Sequence, residues 1–167
     1  MSIKKAIAAW DGKSAQDIGA IYQSYGRAPS FIREVLLLLG GESSQQGASW
    51  LLKRFFEDGR ELDAATVNKI YGLLPKLVDW QTKLHILQCI PYMPIEKRQA
   101  KRLQRFLQQC LTGDNKFVRA WAYNGFYELA VQHHEYEAQA REFFAMAMKD
   151  EAASVKARIR NLLKRGF

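Results

Sequence analysis

An apolar stripe that recurs along the whole chain limits its fold more than any other feature. From Val118, steps of four, seven and eight residues reach Ala122, Gly125 and Phe126, which share one face of a helix with 3.6 residues per turn. The template starts again at Val155 (Ile159, Leu162, Leu163), Thr82 (Ile86, Cys89, Ile90), Ala48 (Leu52, Phe55, Phe56) and Ser14 (Ile18, Ile21, Tyr22), and no charge falls on any of these positions. The five anchors are separated by 34, 34, 36 and 37 residues, the length of a helical-hairpin repeat.

A second stripe precedes four of the anchors at a nearly fixed offset. It begins at Ile32, 16 residues ahead of Ala48, and at Val67, Leu103 and Ala140, each 15 residues ahead of its anchor. Each repeat is therefore expected to be two antiparallel helices, with the anchored stripe on the second. The first repeat has only a stub before Ser14 (Ile3, Ala6, Ile7, Trp10), as terminal repeats often do. Asp11, Asp79, Asp114 and Asp150 fall three to five residues ahead of their anchors, where a carboxylate caps a helix and meets the positive end of its dipole. Ser43 or Ser44 takes that place in the second unit. Nothing alternates as a strand would, and no linker divides residues 1–167. The expectation is a single all-α domain, a right-handed α-α superhelix of about five hairpins.

Composition narrows the setting. The chain has 167 residues, is 48% hydrophobic and has only 4 Pro, which excludes a disordered or collagen-like chain. Cys89 and Cys110 lack metal-ligand spacing and are too few for a disulfide scaffold, which fits a reducing cytoplasm. The longest uncharged apolar run, Val35 to Leu39, is far shorter than the roughly 20 residues that cross a bilayer. The opening residues carry no apolar leader core, so a cytoplasmic protein away from the membrane is expected.

Two segments carry a family resemblance. Asp114 to Ala130 (DNKFVRAWAYNGFYELA) and Asp150 to Leu163 (DEAASVKARIRNLL) resemble the second helix of HEAT repeats, members of the HEAT and armadillo-like α-solenoids, with a turn Asp, then Val-Arg/Lys-x-x-Ala/Ile and a Leu-rich close. The units at Thr82 and Ala48 depart from it, with Lys83 and Ser49 after the anchor, and at Ser14 only the period and stripe remain. The resemblance implies a stack of helical hairpins whose second helices line a concave face. It also implies that the basic residue after the anchor and the turn Asp form a ladder between repeats, making Asp114 with Arg119 and Asp150 with Lys156 its candidates. The alternative is that Lys83, Arg119 and Lys156 line a binding surface.

At three, six and ten residues past the anchor, the last three units present His85, Gln88, Tyr92; Trp121, Asn124, Glu128; and Arg158, Asn161, Arg165. Aromatic, amide and guanidinium groups suit recognition, because Trp and Tyr supply rigid area and the others supply hydrogen bonds. The expected groove is His85, Gln88, Tyr92, Trp121, Asn124, Arg158, Asn161 and Arg165. Packing of Trp121 and Tyr92 between repeats is the competing reading.

Charge concentrates in the second half, where residues 84–167 hold 14 basic and 8 acidic residues against 11 and 9 in residues 1–83. Lys97, Arg98, Lys101, Arg102 and Arg105 form one cluster, read as a solvated face. Lys156, Arg160 and Lys164 form a line at four-residue intervals that would suit phosphate contacts. The HEAT-like alkylpurine DNA glycosylases place a Trp and a catalytic Asp one turn apart. The residues one turn from Trp121 are Phe117 and Gly125, and those from Trp50 are Gln46 and Arg54, so the acid is missing. His133, His134, Glu135 and Glu137 form the one metal-like cluster, read as a solvated turn, because adjacent imidazoles leave different faces of a helix. No phosphate-binding loop or nucleophile motif is present. The reading is a non-enzymatic module without cofactor or metal that binds a protein partner. A nucleic-acid-binding protein of the DNA-alkylation-repair type, using the basic half, is the alternative.

Overall fold

The computed structural model describes residues 1–166, and among them every regular element is helical. Ten α-helices follow one another: α1 (Ile3–Ala9), α2 (Ala15–Tyr25), α3 (Phe31–Leu39), α4 (Gln45–Glu57), α5 (Ala64–Leu73), α6 (Trp80–Cys89), α7 (Lys97–Leu111), α8 (Lys116–Gln132), α9 (Glu137–Asp150) and α10 (Ala153–Arg165). Short 3-10 turns extend α5 (Leu74–Lys76) and α6 (Ile90–Tyr92) and precede α9 (His134–Tyr136). The first two of these turns contain Pro75 and Pro91, which have no N–H to continue an α-helical ladder.

Local chemistry accounts for the starts. Asp79 caps α6 by accepting from Thr82 N–H (2.7 Å) and from the Thr82 hydroxyl (2.8 Å). Asp11 accepts from the N–H groups of Lys13 and Ser14, which hands the cap of α2 to Ser14 itself. At α8 the cap is Asn115 rather than Asp114, because its shorter reach from the helix start brings Oδ1 to both Phe117 and Val118 N–H. Asp150 ends α9, and Ala152 starts α10 without a side-chain cap.

The even-numbered helices pack in chain order, α2 on α4, α4 on α6, α6 on α8 and α8 on α10, while α1, α3, α5 and α7 do the same beside them. The anchors Ala48, Thr82, Val118 and Val155 are buried, as are Ile18, Leu52, Ile86, Ala122 and Ile159 one turn later. Phe126 is fully buried and meets Phe143 edge-on at 5.0 Å, whereas Leu163, its equivalent in α10, is 43% exposed. Gly125 is required for close approach: a Cβ there would lie 2.4 Å from the buried Leu107 Cδ2 of α7.

Polar side chains repeat the period. Most side-chain hydrogen bonds between distant parts of the chain span 31 to 39 residues, so each joins a hairpin to the next. Gln46 Nε2 donates to Gly12 O (2.9 Å). Gln45, fully buried, donates to Lys76 O (3.2 Å) and accepts from Val78 N–H (2.7 Å). Gln132 Oε1 accepts from Ile95 N–H (2.8 Å), and His133 Nε2 meets Ile95 O at 2.6 Å. Gln45→Leu preserves volume while leaving Lys76 C=O and Val78 N–H without their partner. An unpaired buried polar group costs about 1 to 3 kcal/mol. The expected loss is about 2 to 4 kcal/mol by urea unfolding at an unchanged m-value.

Candidate binding face

The second helices place the predicted row at different depths. His85 lies on α6, half-buried, with its Nδ1 2.9 Å from the Ser49 hydroxyl of α4. Burial, with some help from Lys53, lowers its pKa from 6.5 to about 4, so the ring is neutral near pH 7. Three residues on, the buried Gln88 Oε1 has no hydrogen-bond partner among the described residues. Tyr92 leaves the row. Pro91 turns the end of α6 into a 3-10 turn, where Tyr92 is half exposed and stacks on Phe56 of α4 (5.5 Å, 4°).

Trp121, Asn124, Arg158, Asn161 and Arg165 are brought together by the packing of α8 on α10. The Arg158 guanidinium lies 4.0 Å from the centre of the Trp121 ring, a cation–π geometry that holds both side chains. Asn124, Arg158, Asn161 and Arg165 line one cleft of about 290 Å³ with Ser154 and Leu162. Asn124 is only 4% exposed, whereas Asn161 and Arg165 are at the surface. Burial and the neighbouring Arg165 charge both lower the pKa of Arg158. Glu128, half-buried nearby on α8, has its carboxyl pushed up by burial and partly restored by Arg165.

The ladder takes a different acid from the one expected. Arg119 Nε meets both carboxylate oxygens of Glu151 at 3.0 and 2.9 Å, and its Nη1 donates to the carbonyls of Gly113 and Asp114. The acid comes from the following turn, since Asp114 offers its carbonyl instead of its carboxylate. Lys156 makes no ion pair among the described residues. Arg160 and Lys164 are exposed on α10, so the proposed phosphate line is open to solvent at both of them and half-covered at Lys156.

Elsewhere, Arg98, Lys101, Arg102 and Arg105 of α7 line a cleft of about 420 Å³ against Leu74 and Pro75. Glu96 engages Arg98, and Gln99 engages Arg102. His133 is committed to Ile95, while His134 meets Glu137 at 2.9 Å. No group of three metal-ligating side chains occurs among the described residues, and no described helix is long and apolar enough to cross a membrane. Both cysteines are buried, and burial raises their thiol pKa values. Compared with known proteins, the chain matches no family model, no curated sequence and no solved structure.

The register of the second helices brings Trp121, Asn124, Arg158, Asn161 and Arg165 together, and leaves Tyr92 outside. Sequence reasoning missed Glu151, although an acid beside the turn Asp was visible, and Ser154, whose place becomes clear only from how α10 crosses α8.

The His85 environment has a pH consequence. Its folded pKa, about 4, lies below the unfolded 6.5, so the unfolded chain binds more protons between these values. Stability from this group is present above pH 6.5 and is lost as pH falls towards 4, by at most about 3 kcal/mol. Lys53 adds to the depression, while Asp79 and Glu57 oppose it. Urea unfolding of His85→Gln at a series of pH values is expected to show a shallower decline than the wild type across that window.

Proposed function

We propose that the chain is a HEAT-like right-handed α-solenoid acting as a non-enzymatic, cofactor-free cytoplasmic module, and that the concave face formed by its second helices binds a protein partner. The observation that carries this reading is the Trp121–Arg158 pair at 4.0 Å. These residues occupy the same register in successive second helices, and they sit beside a cleft lined by amide and guanidinium groups. An aromatic ring and a guanidinium already held together give a partner a rigid contact with little ordering cost. The face also includes the His85–Ser49 contact and the unpartnered Gln88 carbonyl.

The basic cleft on α7 supports a second reading, nucleic-acid binding. Its four cations face one recess, and Lys156, Arg160 and Lys164 would add phosphate contacts from α10. Such binding weakens steeply with salt, by about one power of concentration per phosphate neutralised.

Affinity capture with the intact chain separates the two readings. A discrete protein retained by the wild type and by Leu37→Glu, a change at an exposed position on α3, is expected to be lost by more than about tenfold with Trp121→Ala combined with Arg158→Glu. Retention by the double variant overturns the face assignment. A mobility shift of duplex or single-stranded oligonucleotide that disappears across a salt series favours nucleic acid, and none at low salt eliminates it.

A further inference from the structure

We infer that the cleft between α8 and α10 is a carboxylate site that receives an aspartate or glutamate side chain from the partner polypeptide. This rests on the proposal that the second-helix face binds a protein, and it assigns one chemistry to one end of that face.

Three observations converge. First, Arg158 and Arg165 border the same cleft, and neither makes an ion pair among the described residues. Guanidinium groups offer a planar fork of donors matched to a carboxylate. Arg158 is already fixed against Trp121, so less side-chain freedom is lost when an acid docks. Second, Asn124 is 4% exposed and lines the cleft, so its amide N–H groups stand within the recess where they can add to the coordination of an acid that neither arginine fully surrounds. Third, the cleft holds about 290 Å³, room for an aspartate or glutamate side chain.

Charge selects the occupant. Two guanidiniums border the cleft, and a carboxylate matches their forks of donors, whereas a neutral amide leaves both charges unpaired. No acidic side chain among the described residues lines the cleft.

Nuclear magnetic resonance of the ¹⁵N-labelled full chain tests this with an acetylated hexaglutamate peptide as probe. Hexaglutamine and a phosphoserine peptide of equal length serve as comparisons. Saturable shifts are expected in the Trp121 indole N–H, the Asn124 and Asn161 amides and Arg158 Nε. Arg165→Gln and Asn161→Ala alter exposed positions, and each is expected to weaken the titration, by about tenfold for Arg165→Gln. The inference is overturned by no shift at roughly millimolar peptide, by equal shifts with hexaglutamine, by a titration that Arg165→Gln leaves unchanged, or by tighter binding of the phosphoserine peptide. If the peptide fails while a captured partner still requires Trp121, the carboxylate assignment falls and the binding face stands. If the captured partner is also indifferent to Trp121 and Arg158, both fall.

Discussion

Each hairpin has one apolar stripe too many to bury within itself, and the rest of the structure depends on the next hairpin covering it. Thr82, Val118 and Val155 are buried at the same register of α6, α8 and α10, and these helices pack on one another in chain order. Burial of a Val, Ile, Leu or Phe side chain contributes about 1.5 to 3 kcal/mol. A stripe of four therefore outweighs a single surface ion pair, which is worth about 0 to 1 kcal/mol. Arg119 and Glu151 refine the contact that this burial creates.

Polar groups between hairpins set the register. Gln45, Gln46, Gln132 and His133 each satisfy backbone groups of a neighbouring turn. A slide of one hairpin along the next would leave these groups unpaired. A hydrogen bond fails within about half an ångström beyond its normal range, so these amides fix the slide sharply, and Leu107 seated against Gly125 fixes α7 against α8 as well.

Much of this was legible in the residue order, and the shortfalls have physical reasons. The all-helical fold, the packing of the second helices in chain order and the burial of Ala48, Thr82, Val118 and Val155 follow the recurring stripe, whereas α5 and α6 make little contact with each other. The cap at Asn115, in place of Asp114, depends on one residue of helix start, finer than a hydrophobic stripe can resolve. Tyr92 followed the register on paper, but Pro91 ends the α-helix before it. Glu151 takes the place expected of Asp114 because its side chain, on the turn into α10, brings both carboxylate oxygens to Arg119 Nε, while the expected rung from Asp150 to Lys156 does not form among the described residues. Trp121, Asn124, Arg158, Asn161 and Arg165 lie near one another because they share a register on α8 and α10. Asn124's burial was not visible, because it arises from α10 covering α8.

The face proposed for a partner exists only if the hairpins form an open stack, so an end-to-end distance tests the account most directly. Spin labels at Gln16 of α2 and Arg160 of α10, both exposed, leave the buried Cys89 and Cys110 to be replaced or left unlabelled. Packed helices lie about 8 to 10 Å apart, and four such steps separate α2 from α10. Pulsed dipolar spectroscopy is predicted to give one distribution centred at about 30 to 40 Å. A main population below about 20 Å would mean that the chain closes into a bundle, contradicting both the stack and the face built on it.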